Sequence, residues 1–375
     1  MVTPQRLPAS LTPLDVALAA LLRGVEPVSP AELPLEQALR CIAAEMPLLA
    51  AHPPRDVAAS DGWALRANDL VGASSYSPLP LVKTPHWVEA GDAMPEGCDC
   101  VLDADALDQA GPIGQVVAEA IPGQGVRRAG HDIAKGSSAA EAGRRVLARD
   151  LLIARAAGLS GLKVRRPRLA IVNIPPGALT ASLIAESARN AGAEVVRTEA
   201  AARDAASIAG AFDASACDLL ITIGGSGVGR TDATVAALAA RGEVFAHGIA
   251  LRPGRTTAIG RIATTPVIAL PGAPDQAFAA WWALALPVLD RLSGRRPRKT
   301  LNLPLARKIA SGVGIAEMVL LERKQGTCKQ DTWTTLAMGE LSLDAIARAE
   351  AWLLVSGDAE GFAAGTPVDA YMLRE

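Results

Sequence analysis

Aromatic side chains are scarce in this sequence. Phe, Trp and Tyr make up 3% of 375 residues, so any core must be packed from Ala, Leu, Val and Ile. An excess of one charge is also missing: 37 Lys and Arg face 39 Asp and Glu, a formal charge of -2. That balance argues against nucleic acid as the main partner, while leaving room for a local basic pocket. Long apolar runs are absent too. The longest, Ala277–Leu289, contains Pro287 and falls short of the ~18 residues a membrane span needs, so no membrane association is expected. The N-terminus has no basic segment followed by an apolar run, which excludes a signal peptide as the expected reading. Cysteine is limited to Cys41, Cys98, Cys100, Cys217 and Cys328. An odd, scattered set argues against a disulfide framework, and Cys98-Asp99-Cys100 lacks the second Cys/His pair of a zinc site. Reduced, buried thiols in a cytoplasmic protein are expected.

What is present is a hydrophobic fraction of 50%, ample for real cores, in a length that suggests two to three domains. Leu14–Leu22 has helical spacing, with Thr12 at the N-cap position, and Leu35–Ala44 reads as a second helix after Pro34. From Asp61-Gly62 to about Ala142 the pattern is short strands and turns, as in a small β-barrel. Helical spacing returns at Leu147–Gly158. After Arg165-Arg166-Pro167-Arg168 the character changes to strand Leu169–Ile174, helix Ala181–Ala191, strand Glu194–Arg197 and helix Ala205–Phe212. This βαβα alternation implies a parallel sheet with right-handed crossovers. Thr257–Gly260 and Pro266–Leu270 read as two strands around a turn. A helix from Pro274 to about Leu292 precedes the linker Gly294–Arg298, and Leu301–Glu375 is β-rich.

The most informative stretch is Cys217–Asp232. Leu219–Ile223 is a β-prone run buried on both faces. It enters Gly224-Gly225-Ser226-Gly227-Val228-Gly229, and Asp232 stands where it can cap a helix Ala233–Arg241 that Gly242 ends. Glycines let backbone N–H groups approach a ligand, and a strand–turn–helix junction suits a phosphate. A tight turn without a ligand has the same pattern. A second such junction occurs at Leu270-Pro271-Gly272-Ala273-Pro274.

Taken together these motifs resemble the molybdopterin molybdenumtransferases, the MoeA and gephyrin E-domain family. Asp61-Gly62-Trp63-Ala64-Leu65-Arg66-Ala67 resembles the family's DGYAVRA segment, Met94–Val101 its PEGADAV turn, and Arg127–Ile133 its RxxGEDI. The glycine stretch is similar to TSGGVSVGDYD, Leu251-Arg252-Pro253-Gly254-Arg255 to MKPGKP, and Leu270–Pro274 to LPGNP. The six motifs occur in the family's order across nearly the whole chain.

The resemblance implies a multidomain α/β and β fold. Residues 10–27 and 167–298 would form a three-layer, MogA-like α/β domain that binds molybdopterin. Residues 53–142 would be an inserted β-domain on a small linking domain of residues 28–52 and 143–166, and residues 299–375 a C-terminal β-barrel. It further implies a homodimer with the active site shared between subunits, and a molybdoenzyme or delivery protein as a possible partner. The implied reaction inserts molybdate into adenylylated molybdopterin with release of AMP and requires Mg²⁺. Asp61, Asp132 and Asp232 stand at matching acidic positions and are the implied catalytic set, with Asp232 on the metal or phosphate side and the other two contributed by the partner subunit. Gly224, Gly225, Ser226, Gly227, Gly229, Arg252, Gly254, Arg255, Pro271 and Gly272 are the implied substrate-binding residues.

The sequence departs from the family pattern after the first α/β strand. There Asn173-Ile174-Pro175-Pro176-Gly177-Ala178-Leu179-Thr180 replaces a longer STGDEL-type loop and its acids. Arg230 stands for an acid in the glycine stretch, and Asp275-Gln276 for a Val-Ser pair. Two readings of different class follow: a divergent molybdenum insertase, or a non-catalytic molybdopterin-binding or carrier paralogue that has lost the hydrolytic loop.

Overall fold

Leu14, Ala17 and Leu21 are buried at helical spacing, and the helix they stabilise, α1, spans Leu14–Leu22 as expected. Thr12 does not cap it. Pro13 holds the cap position, and Thr12 instead pairs as an extended residue, donating to Gly248 O at 2.9 Å and accepting from Ala250 N at 2.8 Å. In this computed structural model, residues 5–81, 83–108, 114–325 and 331–373 are described. Cys328, expected to be a free thiol, lies outside them. The chain forms two compact units, one of residues 1–44, 142–147 and 163–375 and the other of residues 45–141 and 148–162.

The first unit is built around a six-stranded sheet. In chain order its elements are β1 (Arg168–Asn173), α2 (Leu179–Asn190), β2 (Glu194–Glu199), α3 (Ala205–Gly210), β3 (Leu219–Ile223), α4 (Thr234–Arg241) and β4 (Glu243–His247). The short β5 (Leu251–Arg252) follows, then β6 (Ala258–Ile262) and β7 (Thr265–Leu270). The strand order is β2-β1-β3-β7-β6-β4. The first four strands are mutually parallel, β6 runs antiparallel to both of its neighbours, and β4 therefore points the same way as the first four. The sheet is therefore mixed: the βαβα segment gives the expected parallel strands, and β6 and β7 are the two strands read around a tight turn, which makes them antiparallel. β3 and β7 are buried along their whole length, as strands covered on both faces must be.

Leu35–Ala44 is not one helix. Only Leu35–Ala38 is helical, and Ile42–Ala43 joins a small sheet with Ala31–Pro34 and Gly161–Arg165. The helix stops because Arg40 adopts a left-handed backbone with φ 72° and donates its N–H to Val146 O at 2.9 Å.

Helix α5 (Pro274–Ala280) runs through a π-helical turn at Trp281–Ala285 into α6 (Leu286–Ser293). Beyond it lie β8 (Thr300–Pro304), β9 (Ala316–Gln325), β10 (Asp331–Met338), α7 (Leu343–Arg348), β11 (Ala351–Val355) and β12 (Pro367–Met372). Their sheet has the order β5-β9-β11-β12-β8, with β10 on β9. Leu305, the residue after β8, forms an isolated bridge to Trp333 of β10, and no ladder joins β8 to β10 among the described residues. The few aromatics concentrate at the joint with the helices. Trp282 stacks on Trp352 at 6.1 Å between centroids, and Trp352 on Tyr371 at 4.6 Å. One apolar core consequently runs from α1 through the α/β sheet into β9 and β11.

The second unit combines the helix Ala148–Ala156, expected from the helical spacing of Leu147–Gly158, with short strands. Gly62–Leu65 is flanked by His86–Val88 and Cys100–Leu102, and Gln115–Val116 by Leu79–Pro80 and Leu107–Asp108. Val57–Ala58 pairs with Val126–Arg127. A side chain on Gly62 would collide with Leu102 O, which explains the glycine after Asp61. Among the described residues no helix is long and apolar enough to cross a membrane.

Candidate functional site

The four parallel strands of the first unit end on one line. Glu199 of β2 is level with Asn173 of β1, Asn173 with Ile223 of β3, and Ile223 with Leu270 of β7. The loops leaving these ends surround a cleft of about 500 Å³. β1 lies between β2 and β3, so the connections diverge beside it. Ligands of open α/β sheets bind at such a switch point, beyond the carboxyl ends of the strands.

Gly224 and Gly225 leave β3 with φ 94° and 68°, a conformation that L side chains rarely adopt. A Cβ on Gly225 would meet Thr234 Oγ1. That hydroxyl donates to Gly224 O at 2.9 Å and Thr234 N donates to Gly225 O at 3.0 Å, so the turn is sewn to the start of α4. Asp232 does not cap that helix. α4 begins at Thr234 with Ala233 in the cap position. The Asp232 carboxylate instead folds back into the turn, where Oδ2 accepts from Gly229 N at 2.8 Å. Cβ atoms on Gly227 and Gly229 would lie 2.5 and 2.9 Å from Asp232 Oδ2. These two glycines are thus required by the carboxylate. The cap is provided from a distance by Gln5. Its Oε1 accepts from Val235 N at 2.8 Å, and its Nε2 donates to Gly225 O at 3.1 Å and Gly227 O at 2.7 Å.

Gly224, Gly225, Gly227, Asp232, Pro271 and Gly272 line the cleft, and Gly229 stands outside the lining. Ser226 is fully buried behind the turn, with its Oγ unpaired, and its carbonyl lies 2.9 Å from His247 Nε2. Three residues that sequence reasoning passed over also line it. Thr180 Oγ1 donates to Gly272 O at 2.7 Å, tying the start of α2 to the second glycine turn. Asn173 ends β1 at 4% exposure, and its Nδ2 has no partner. Arg203, from the loop after β2, donates through Nη1 to Pro175 O at 2.8 Å and through Nη2 to Asp232 Oδ1 at 3.0 Å. Only a shared end-point of the strands brings these loops together, so no local motif marks them.

Arg252 and Arg255 are absent from the cleft lining. Arg252 belongs to β5 and pairs at 3.3 Å with Glu317, a buried acid that also accepts from Ser311 Oγ at 2.6 Å. Gly254 has φ 117°, with Gln276 O 3.1 Å from where its Cβ would be. It shapes the chain beside the cleft, which Thr256 and Gln276 reach.

Asp61 and Asp132 lie in the second unit. Asp61 Oδ1 accepts from Ala90 N at 2.8 Å, and Asp132 pairs with Arg127 at 3.2 Å. Arg127 is in turn level with Val57 on the paired strand, four residues before Asp61. Both acids have turn-holding partners. No group of three or more His, Cys, Asp or Glu converges on a metal position among the described residues. Asp232 is the one carboxylate near the glycine turn in the cleft lining, and an arginine already neutralises it. The residues present do not form a resident site for a divalent ion.

Two family models match the chain. Residues 12–158 match the MoeA N-terminal region (domain I and II), and residues 179–291 a probable molybdopterin binding domain. Molybdopterin molybdenumtransferase 2 of Mycobacterium tuberculosis is 28% identical over 357 residues, covering 83% of this chain and 87% of the relative. Molybdopterin molybdenumtransferase of Haemophilus influenzae is 28% identical over 323 residues, covering 76% and 79%. A crystal structure of the molybdopterin biosynthesis MoeA protein from Pyrococcus horikoshii superposes with a TM-score of 0.71 at 20% identity, covering 97% of this chain and 100% of that one.

Proposed function

The chain is a member of the MoeA family, carrying that family's N-terminal region and molybdopterin-binding domain in order, and we propose that it acts in molybdenum cofactor biosynthesis as a molybdopterin molybdenumtransferase. The reaction in this reading inserts molybdate into adenylylated molybdopterin and releases AMP. The observation that carries it is the cleft itself: four parallel strands end level, and the two glycine-bearing turns lie side by side on the adjacent strands β3 and β7 and together line a volume of about 500 Å³. Backbone approach at Gly224, Gly225 and Gly272 suits a bulky pterin with a phosphoanhydride, and strand-end turns of this kind take phosphate.

Within the cleft Arg203 is the cation placed for the phosphates, and Asp232 fixes it. Thr180 holds the Pro271-Gly272 turn at its distance from α2. Asp61 and Asp132 act, in this reading, from the partner subunit of a homodimer. The family resemblance also implies Mg²⁺. No protein cage for it is present among the described residues, so Mg²⁺ is given no part in holding the substrate here, and no step is placed on a resident metal. The four described cysteines are free thiols, in keeping with a cytoplasmic location.

The test incubates the purified protein with adenylylated molybdopterin, molybdate and Mg²⁺, following AMP release and activation of an apo-molybdoenzyme. Both are expected. Asp232→Ala should lower AMP release by about 100-fold, because the cation over the phosphates loses its anchor. Pterin binding without AMP would leave only a carrier role, and absence of pterin binding would overturn the reading altogether.

A further inference from the structure

The guanidinium of Arg203 is clamped from two sides. One terminal nitrogen is 2.8 Å from Pro175 O, in the shortened connection after β1, and the other is 3.0 Å from Asp232 Oδ1 in the glycine turn. The Asp232 side chain is 15% exposed and that of Arg203 34%, so the pair sits at the cleft wall and not in open solvent. A guanidinium has five N–H donors, and these bonds use two of them. Its Nε is buried without an acceptor, and so is Nδ2 of Asn173 at the end of β1. Both residues line the same cleft. A buried donor without an acceptor costs its full desolvation penalty. Two of them beside a fixed cation call for a ligand rich in oxygen atoms. A divalent ion meets the opposite need, since it binds acceptors, and the carboxylate nearest the turn is already occupied.

We infer that Arg203 is a built-in counter-cation for the phosphoanhydride of the ligand, so that this chain binds the anhydride without a divalent metal. The cation is fixed to the wall by the short connection between β1 and α2, through Pro175 O. A planar fork of donors matches phosphate oxygens bidentately. Asn173 Nδ2 supplies a further donor from the adjacent strand end. The inference rests on the proposed handling of a pyrophosphate-linked pterin, and it concerns binding and not turnover.

The experiment titrates inorganic pyrophosphate into the full-length protein by calorimetry, once in excess EDTA and once in millimolar Mg²⁺. The two dissociation constants should agree within about threefold, since a fixed guanidinium supplies the charge-assisted bonds in both. In EDTA, Arg203→Lys should weaken binding by about tenfold, because an ammonium keeps the charge but not the fork. Arg203→Gln should weaken it further, and added Mg²⁺ should recover part of that loss. A melting curve of each variant separates lost binding from lost folding, and if Arg203→Gln does not fold, the lysine variant decides. Binding that appears only with Mg²⁺ would overturn the inference, as would full affinity of Arg203→Lys in EDTA or absence of pyrophosphate binding in both buffers. Metal-independent binding with no AMP release in the turnover assay would sustain it while ending the enzymatic reading.

Discussion

Arg252 stands outside the cleft lining although its motif suggests a binding role, and Arg203, which no motif marks, lines the cleft. Arg252 lies in a motif of phosphate-binding character, yet its charge meets Glu317 at 3.3 Å, an acid whose side chain is only 6% exposed. Removing the arginine leaves that acid with Ser311 as its hydrogen-bond donor. Arg252→Ala should therefore cost about 1–2 kcal/mol of stability, in the range for a half-exposed pair with one buried partner. It should lower the melting temperature by a few degrees and leave pyrophosphate affinity as it is. A large loss of affinity at unchanged stability would return Arg252 to the site. The glycines of the site were legible because positive φ and close approach leave few alternatives at those positions. Asp232 was legible as a residue of the turn but not in its role, since a carboxylate beside a helix start suggests a cap. The Arg203 side chain was invisible in sequence. It comes from the alanine-rich loop Ala200–Asp204 without periodicity or motif, and only the common register of β2, β1 and β3 places it by Asp232.

At the scale of elements, burial on both faces made the central strands easy to read. β1, β3 and β7 are apolar runs bounded by turn residues, and the amphipathic α2 and the aromatic-bearing α5 follow from their spacing. The errors have local causes. Leu35–Ala44 has helical spacing, but Arg40 turns left-handed and the rest pairs with Gly161–Arg165. Such pairing is settled by a strand more than a hundred residues away, beyond the reach of a local pattern. Gly260 in β6 illustrates the same point from within a strand. Its φ is not of the left-handed class, and any residue could adopt it, but a Cβ there would press on Glu243 O of β4 and lie 2.9 Å from Leu238 Cδ2 of α4. The β4–β6 ladder carries a register irregularity just beyond, between Val244 and Ala246. Gly260→Ala should thus destabilise the first unit by about 2–3 kcal/mol through overpacking. Urea unfolding followed by circular dichroism would register it as a lower midpoint with an unchanged slope. An unchanged midpoint would mean that β4 moves aside at no cost.

For the whole molecule, the distribution of core residues predicts how it melts. The first unit has a large core running from Leu14 and Leu21 through Ile221 and Leu284 to Met318 and Trp352, and two smaller clusters, around Ile208 and Leu238 and around Leu321 and Trp333, lie on the opposite faces of the same sheets. The second has two small cores, one around Leu65, Leu102 and Val116 and one around Ala58, Val88 and Val101. Units with separate cores unfold as separate cooperative blocks. Calorimetry should resolve two transitions, the smaller from a unit of about 110 residues with an enthalpy near roughly 75 kcal/mol. Leu102→Ala, which removes a buried side chain at 4% exposure, should lower only the smaller transition. Leu284→Ala, at 0% exposure, should lower only the larger. Each substitution should remove about 2–5 kcal/mol from its own unit. The cleft is formed entirely by loops of the first unit, so a ligand that binds there stabilises that block alone. Pyrophosphate at about 100 times its dissociation constant should therefore raise the larger transition, by roughly 2.7 kcal/mol of added stability, and leave the smaller one in place. A single transition shifted alike by both substitutions would show that the two cores unfold together, and a ligand effect on the smaller transition would show that the second unit also contacts the ligand.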